Sequence, residues 1–296
     1  MAFRYHSGEL SVQERAGVRE MADRIGKSIG STIPPRAQDF LQSQPLVVIG
    51  SVDPGGQVWA SLLTGVPGFV QVLDEENVRI QAQTATGDPL NDNLAANAAV
   101  GLIAIDFATR RRMRLNGLAK VGLDGAIHIH AQQVYSNCPK YIQPRQWRES
   151  EPKNALIPVV ERQEVLALDQ QRWIGAADTF FIATHHPGGG TDASHRCGPP
   201  GFVLVLNHQR LVWPDYAGNT MFQTLGNIEV NPSAGLLFID FEKARTLQIT
   251  GRARILWDEK SIADFAGAER VVEFNVDKVI QIGNAHSLEW RLTNRS

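Results

Sequence analysis

The chain has 296 residues, of which 43% are hydrophobic and 20% charged, a balance typical of globular proteins rather than disordered ones. Its 29 Lys and Arg residues against 31 Asp and Glu give a formal net charge of -2, which excludes the overall basic character of nucleic-acid-binding proteins. With two cysteines, no apolar signal sequence and no apolar run of membrane-spanning length, we expect a cytoplasmic protein without a disulfide framework or a membrane anchor.

The first predicted element is a single helix over residues 11–29. Ser11 and Glu14 have the spacing of a capping box, and the apolar residues that follow recur three or four positions apart on one face. We expect this helix to lie across the rest of the molecule, within an N-terminal helical segment that spans residues 1–35.

An internal repeat organises the rest of the chain. LLTGVPGFV at 62–70 matches HRCGPPGFV at 195–203, which ends 133 positions later. Two further blocks of the first half, VGLIAIDF and RMRLNGLAKV, match AGLLFIDF and TLQITGRARI of the second half at an offset of 134. Three blocks in the same order at a nearly constant offset predict a duplicated unit.

Each unit has the pattern of about six short strands with one short helix. Turn sequences such as DPGG at 53–56 separate the strands, and Pro89 marks the first turn of the helix in the first unit. This pattern predicts a mainly β fold with peripheral helices, in which two small antiparallel barrels pack as an internal dimer. The predicted domains are the first barrel at residues 36–138, a crossover linker at 139–164 and the second barrel at 165–296.

The familiar catalytic motifs are missing, and the histidines do not have zinc-site spacing. The sequence contains no Walker A, Cys-x-x-Cys, Gly-x-Ser-x-Gly or His-Glu-x-x-His motif, so no catalytic residue is assigned. We interpret the two histidine groups as solvated or hydrogen-bonded strand faces and predict no metal site. These groups are His185, His186 and His195 with Cys197, and His128 with His130.

The two units differ in where they carry positive charge. Leu62-Leu63 of the first unit align with His195-Arg196 of the second. The first unit carries the run RRRMR at residues 110–114. Within it, Arg111-Arg112 align with Arg245-Thr246 of the second unit. One unit therefore supplies His-Arg and the other an arginine cluster, and arginine is well suited to hold a phosphate.

A family resemblance lies in four stretches: VWASLLTGVPGFV at 58–70, VYSNCPKYIQPR at 134–145, SHRCGPPGFV at 194–203 and LVWPDYAGNTMFQTLGNI at 211–228. With these residues the sequence resembles the FMN-binding split-barrel family typified by pyridoxamine 5'-phosphate oxidase, and above all its double-barrel members. The resemblance implies two FMN-binding split β-barrels fused as an internal pseudo-dimer, with FMN in the groove between them. It leaves open a further pairing into a homodimer and the use of F420 in place of FMN.

The resemblance also implies which residues bind the cofactor. Arg196 falls on the strand that binds it, and the turn after the next strand faces the phosphate. That turn reads GNTM and lacks the Arg-Lys pair of the oxidase, so we expect the other unit to supply the charge for the phosphate. The implied cofactor-binding residues are Ser194, His195, Arg196, Pro214, Asp215, Asn219, Thr220, Met221, Arg111, Arg112 and Lys140.

The predicted function is that of an FMN-binding flavoprotein, an oxidoreductase related to pyridoxamine 5'-phosphate oxidase. Its small-molecule substrate or electron donor is left open, because the residues that replace the oxidase's substrate-phosphate set are Tyr135, Cys138, Lys140 and Tyr141. Two alternatives are kept. One is a non-catalytic flavin-binding or redox-sensing protein, and the other is a haem-binding or haem-degrading split barrel with His185 or His195 as the iron ligand.

The divergence of the two units predicts that only one of two pseudo-equivalent grooves binds flavin well. That groove would combine strands of the second unit with arginines of the first. Cys138 and Cys197 fall in segments that should meet at this groove. We expect both to be small buried side chains, and the alternative is that one thiol lines the substrate side of the flavin.

Overall fold

The computed structural model describes residues 4–82, 84–148, 157–286 and 288–292 and is mainly β. At the amino terminus, two helices replace the single helix predicted over residues 11–29. They are α1 (Ser7–Arg15) and α2 (Arg19–Gly26). Gly17 between them has a φ of 68°, the left-handed conformation in which helices commonly end. The predicted apolar face is therefore divided between two helix axes.

The helix cap also lies earlier than predicted. The His6 side chain accepts a hydrogen bond from the N–H of Glu9, and Oε2 of the Glu9 carboxyl group accepts one from the N–H of His6, at 2.8 Å. Because α1 begins at Ser7, the predicted capping pair Ser11 and Glu14 lies inside the helix and caps nothing.

The first unit is a single antiparallel sheet with two helices. Helix α3 (Pro35–Gln42) precedes it. Its strands are β1 (Leu46–Val52), β2 (Val58–Thr64), β3 (Val70–Val72), β4 (Asn77–Ile80), β5 (Ala99–Asp106), β6 (Arg111–Val121) and β7 (Ile127–Asn137), with α4 (Leu90–Ala96) between β4 and β5. The strand order is β2-β1-β5-β6-β7-β4-β3. Side chains such as Ile49, Leu102 and Leu115 form a completely buried core on one face.

Two short strands follow in the crossover between the units. Strand β8 (Arg145–Arg148) and strand β9 (Val159–Gln163) both pair with elements of the second half of the chain. The segment 139–164, predicted as a linker, therefore contains ordered strands that tie the crossover to the second unit.

The second unit repeats the architecture of the first. After α5 (Leu168–Ala176) come β10 (Thr179–His186), β11 (Gly190–Cys197), β12 (Leu204–Asn207), β13 (Arg210–Tyr216), α6 (Gln223–Val230), β14 (Ser233–Asp240), β15 (Arg245–Leu256), α7 (Glu259–Ala263), β16 (Ala268–Gly283) and β17 (Glu289–Leu292). The sheet order is β11-β10-β14-β15-β16-β13-β12, with β9 added on β16, and β17 pairs with β8. None of the described helices has both the length and the apolar character of a membrane span.

Strand order and register confirm the predicted duplication. Arg114 lies opposite Ile103 in the first sheet, and Gln248 lies opposite Leu237 in the second, so both pairs are displaced by 134 positions. A bulge interrupts the β6–β7 ladder at Asn116 and Gly117, and the matching bulge interrupts β15–β16 at Thr250 and Gly251. A bulge adds an unpaired residue at one fixed place in a strand pair, so its repetition is a detailed sign of common architecture.

The two units pack face to face through reciprocal contacts. A Cβ atom on Gly101 of β5 would lie 2.5 Å from the backbone of Asp192 on β11, and a Cβ on Gly235 of β14 would lie 2.7 Å from the Cα of Trp59 on β2. Only glycine permits this approach of the sheets. Because Gly101 and Gly235 are equivalent positions, the contacts have the pattern of a pseudo-twofold axis. The apolar core between the units includes Val48, Ile103, Phe181 and Leu237.

Candidate functional site

A cleft with walls from both units lies between the two sheets. The first unit contributes β6, the end of β7 and the residues that follow it. The second unit contributes β11, the end of β13, the turn over residues 217–222 and the first turn of α6. A ligand in this cleft would therefore contact both halves of the chain.

Most of the residues predicted from the resemblance meet in this cleft. The strand residues come from β6, β11 and β13, and the others come from the loop after β7 and the turn before α6. Those that line it are Arg112, Lys140, His195, Arg196, Pro214, Asp215, Asn219 and Thr220.

Arg111 and Met221 are two predicted site residues that lie outside the cleft. Successive side chains of a strand point to opposite faces, so Arg111 points away from the side that Arg112 occupies. Its guanidinium lies over the ring of Phe40, 5.0 Å from the centroid. Met221 is buried beside Tyr135 in a small apolar cluster.

Arg112 is held by two acceptors of the cleft wall. Its Nη1 lies 3.0 Å from Nδ1 of His195, and its Nη2 donates to the carbonyl of Cys138 at 2.8 Å. Its buried Nε has no hydrogen-bond partner among the described residues. Burial lowers the pKa of Arg112 to about 10, so the side chain remains charged at neutral pH. Arg112 is thus a fixed cation of the cleft wall with one unsatisfied N–H.

His195 acts as the acceptor that orients Arg112. A guanidinium can only donate hydrogen bonds, so Nδ1 of His195 accepts and its Nε2 carries the hydrogen, which points to Oγ1 of Thr179. Burial and the surrounding guanidinium groups, that of Arg112 first, hold the pKa of His195 well below its usual range. Both ring nitrogens are therefore engaged, and the imidazole is neutral.

A buried ion pair forms the floor of the cleft. Nη1 of Arg114 donates to both carboxylate oxygens of Asp192, at 3.1 and 3.0 Å, and both side chains are less than a tenth exposed. Oγ1 of Thr224 and the hydroxyl of Tyr135 also donate to Asp192, at 3.0 and 3.1 Å. The ion pair therefore connects β6 and β7 of the first unit with β11 and α6 of the second.

Ser194, the remaining predicted residue, lies beneath the cleft and links its arginines. Its Oγ accepts from Nη2 of Arg114 at 2.6 Å and from Nη1 of Arg196 at 2.9 Å. Nε of Arg114 is buried and has no hydrogen-bond partner among the described residues. Ser194 thus fixes two guanidinium groups of the cleft.

Asp215 is the one carboxylate among the described residues that line the cleft. Burial raises its pKa, and Arg196 and Arg270 oppose that rise. Oδ2 of Asp215 lies 3.5 Å from Nη1 of Arg270, whose guanidinium is stacked 4.7 Å from the ring of Phe222. The carboxylate is consequently shared by two arginines in the wall of the cleft.

The N-terminus of α6 is directed at the cleft without a side-chain cap. Phe222, the residue before the helix, has a φ of 61°, and no side chain accepts from the first turn. Gln223 and Thr224 of that turn line the cleft. Free N–H groups at a helix N-terminus carry partial positive charge and favour anions. Together with Arg112, Arg114 and Arg196, they make the cleft a strongly cationic site.

The mouth of the cleft carries the residues that replace the oxidase's substrate-phosphate set. The ring centroids of Tyr141 and Tyr216 lie 5.4 Å apart, one from each half of the chain, and Lys140 is beside them. Tyr135 is buried and donates to Asp192, so it belongs to the floor. Cys138 is exposed, which corrects the expectation that both cysteines are buried, whereas Cys197 is buried.

The histidines proposed as haem ligands do not suit that role in this geometry. His195 has both nitrogens engaged, and His185 lies outside the cleft, with its Nδ1 3.0 Å from Oγ1 of Thr191. Within the described parts of the chain, no three His, Cys, Asp or Glu side chains are placed to share a metal ion.

Arg114, Asp192 and Thr224 are residues of the candidate site that the sequence analysis did not predict. Arg114 belongs to the basic run and lies two positions after Arg112, so strand periodicity was a signal that could have identified it. Asp192 and Thr224 carry no such signal, since their role depends on contacts with residues far away in the sequence.

Comparison with known proteins identifies relatives of both units. A family model described as pyridoxamine 5'-phosphate oxidase matches residues 33–161 and 169–288. No curated protein matches the chain.

Solved structures resemble about two fifths of the chain. HupZ of Group A Streptococcus is 15% identical and covers 38% of this chain and 90% of its own, with a TM-score of 0.32. A putative pyridoxamine 5'-phosphate oxidase from Lactobacillus delbrueckii is 17% identical, with coverages of 40% and 98% and a TM-score of 0.33. The FAD binding protein from Mycobacterium smegmatis is 13% identical, with coverages of 41% and 98% and a TM-score of 0.30.

Proposed function

The chain belongs to the pyridoxamine 5'-phosphate oxidase family, and on that premise we propose that its cleft binds FMN and that the protein is an oxidoreductase. The observation that carries the proposal is the convergence of three guanidinium groups and an uncapped helix N-terminus on one cleft between the units. FMN combines a dianionic phosphate with a flat ring system, and it would supply hydride or electron transfer when bound.

The charges of the cleft support the phosphate part of this proposal. Asp192 neutralises Arg114, and Asp215 is shared by Arg196 and Arg270. Arg112 and Lys140 have no carboxylate partner among the described residues. The cleft therefore holds an excess of positive charge, and charge-assisted hydrogen bonds from arginine to phosphate are among the strong ones in proteins. The buried Nε atoms of Arg112 and Arg114 are donors that such an anion would satisfy.

The excess positive charge of the cleft also supports a redox role. Besides Arg112, the cleft contains Arg196, whose Nη1 donates to Oγ of Ser194 at 2.9 Å and is thereby held in place. A positive charge beside a bound flavin favours the anionic reduced form, and the protein's contribution to flavin chemistry is such positioning and electrostatics. The reducing or oxidising substrate would enter past Lys140, Tyr141 and Tyr216 at the mouth. We place the protein in the cytoplasm as part of this proposal.

An absorption spectrum of the purified protein, with the mass of the extracted cofactor, tests the proposal directly. We expect the two visible bands of oxidised flavin and the mass of FMN. A Soret band would favour the haem alternative, and apoprotein that binds neither FMN nor F420 would exclude a flavin role.

Turnover distinguishes an enzyme from a flavin-storage or redox-sensing protein. We expect the flavin-loaded protein to be reduced by NAD(P)H or another donor faster than free FMN at the same concentration. Arg245→Ala is the matched control, because its guanidinium pairs with Asp240 outside the cleft, so its rate should equal that of the unmodified protein. Equal rates for the protein and free FMN with every donor would favour the non-catalytic alternative.

A further inference from the structure

The pseudo-twofold axis relates the cleft to a second position, which we call the second groove, where β15, β2 and the first turn of α4 meet. Gln248 aligns there with Arg114, and Trp59 aligns with Asp192. Trp59 is 3% exposed and packs against Ile280 and Ile282 in an apolar cluster. The ion pair that forms the floor of the cleft is therefore replaced by a neutral amide and a large ring.

The second groove contains an anion of its own. Asp88 lies at the N-terminus of α4, where its Oδ1 accepts from the N–H of Leu90 at 2.9 Å and from Oγ of Ser61 at 2.7 Å. Nε2 of Gln248 donates to its Oδ2 at 3.0 Å. The matching helix α6 has no side-chain cap. The chain thus satisfies with its own carboxylate the helix terminus that faces the second groove, whereas no side chain caps the one that faces the cleft.

Strand β9 covers the second groove from outside. It pairs with Val279–Gly283 of β16, and Val160 packs in the apolar cluster around Trp59. Gly87, just before Asp88, has a φ of 91°, and a Cβ atom there would lie 2.6 Å from a methyl group of Val160. Nη2 of Arg162 donates to the carbonyl of Gly87 at 2.9 Å. Strand β9 of the crossover is therefore fastened both to β16 and to the loop before α4.

We propose that the second groove is a structural joint that the chain closes itself, and that each chain consequently holds one FMN, in the cleft. In the second groove, the Asp88 carboxylate occupies the helix terminus at which a bound phosphate would lie in the cleft. The side chains of Trp59 and Val160 fill the rest of the second groove. The joint also fixes the crossover and so contributes to the orientation of the two units. The stoichiometry rests on the proposed function, but the closure does not, because it depends only on contacts within the chain.

The stoichiometry is tested by titrating apoprotein with FMN and using a matched pair of variants. Ser194 and Ser61 are equivalent positions, 133 apart, and Ser194 alone contacts the cleft arginines. We expect one FMN per chain, an affinity about ten times weaker for Ser194→Ala, and an unchanged affinity for Ser61→Ala. Two FMN per chain, or equal weakening by both substitutions, would overturn the single-site proposal.

The closure is tested on apoprotein, so that a failure of the proposed function leaves it measurable. Val160→Asp should lower the Tm by about 5 °C, because it places a charge in an apolar cluster. Val159→Asp, on the same strand but 57% exposed, should change the Tm little. Equal Tm values for the two variants would overturn the closed groove, whatever the titration shows. Apoprotein that binds no FMN, with the Tm difference intact, would contradict the proposed function and the stoichiometry alone.

Discussion

Arg114 of the first unit and Asp192 of the second form an ion pair in which Nη1 of the arginine lies 3.1 and 3.0 Å from the two carboxylate oxygens. The pair is buried and lies directly beneath the cleft. Because Asp192 also accepts from Thr224 at the start of α6, it fixes both a cationic side chain and the helix N-terminus. The geometry of the cleft and the association of the two units thus depend on the same contact.

Substitution of Asp192 by Asn is expected to lower the free energy of unfolding by about 3 kcal/mol, because it leaves the guanidinium of Arg114 buried without a counter-charge. Urea unfolding followed by circular dichroism measures this loss. Asp124→Asn is the control, since it weakens a pair with Arg79 whose side chains are 46% and 25% exposed. Such surface pairs contribute less than about 1 kcal/mol. Losses of equal size would show that burial of the Arg114–Asp192 pair is not decisive.

The duplicated β fold could be predicted because its signals are local. Each matched block, each turn sequence and each alternation of apolar residues is only a few residues long. The strands that these local patterns predict are also the strands that pack in the folded protein. The N-terminal helix was predicted wrongly as one element, because a continuous apolar spacing outweighed the left-handed conformation that Gly17 adopts. A single glycine inside a helical pattern is weak evidence of a break, so the sequence favoured the longer helix.

The candidate site could be predicted only as far as single strands define it. Strand periodicity separates Arg112 from Arg111 and groups it with Arg114, and stricter use of that rule would have corrected the prediction. The pairing of Arg114 with Asp192 joins positions 78 apart, and β9 is a strand because β16 offers it an edge. Neither relationship leaves a local pattern, so neither follows from the sequence alone.

Arg112→Ala and Arg196→Ala should each weaken FMN binding ten- to a hundredfold, which corresponds to the loss of about 1.5–3 kcal/mol from one charge-assisted interaction. Arg245→Ala is the control, at the position of the second unit that aligns with Arg111. Its guanidinium donates to Asp240 at 2.8 Å and stacks on Trp173, away from the cleft. Fluorescence titration of apoprotein measures the three affinities. A loss on Arg245→Ala equal to that of the other two would contradict this assignment of the cationic site.

His195→Ala should weaken FMN binding through Arg112, which loses the acceptor of its Nη1. The readout is a double-mutant cycle, in which His195→Ala adds little to the loss already caused by Arg112→Ala. Because the pKa of His195 lies well below its usual range, the affinity of the unmodified protein should also show no histidine step between pH 6 and 8. Additive losses, or a step near pH 6.5 that His195→Ala removes, would contradict a purely positioning role.

The two cysteines should differ in their reaction with a thiol reagent. Cys138 is exposed at the mouth of the cleft and should react rapidly. Cys197 should react slowly, because burial raises the pKa of its thiol to about 11 and the thiolate is the reactive form. Mass spectrometry of labelled protein with and without FMN tests both expectations. If bound FMN protects neither thiol, the hypothesis that a cysteine lines the substrate side of the flavin is wrong.

Glu9 should make the protein less stable as the pH rises from about 5 to 8. Burial, and to a smaller extent the charge of Asp192, raises the pKa of this carboxyl to about 8 from an ordinary 4.5. The folded state therefore holds the proton more tightly than the unfolded state, so the stabilisation is complete below pH 4.5 and is lost as the pH passes 8.

The neutral variant Glu9→Gln isolates this effect, because groups such as Asp88, whose burial raises its pKa to about 6, titrate equally in both proteins. The difference in free energy of unfolding between Glu9→Gln and the unmodified protein should shift in favour of the variant as the pH is raised from 5 to 9. Urea unfolding at pH 5, 7 and 9 measures it. His6, whose pKa burial lowers to about 4, acts in the opposite direction, with stability lost as the pH falls from 6.5 to 4. A difference that does not change between pH 5 and 9 would show that the Glu9 carboxyl is already ionised in the folded protein.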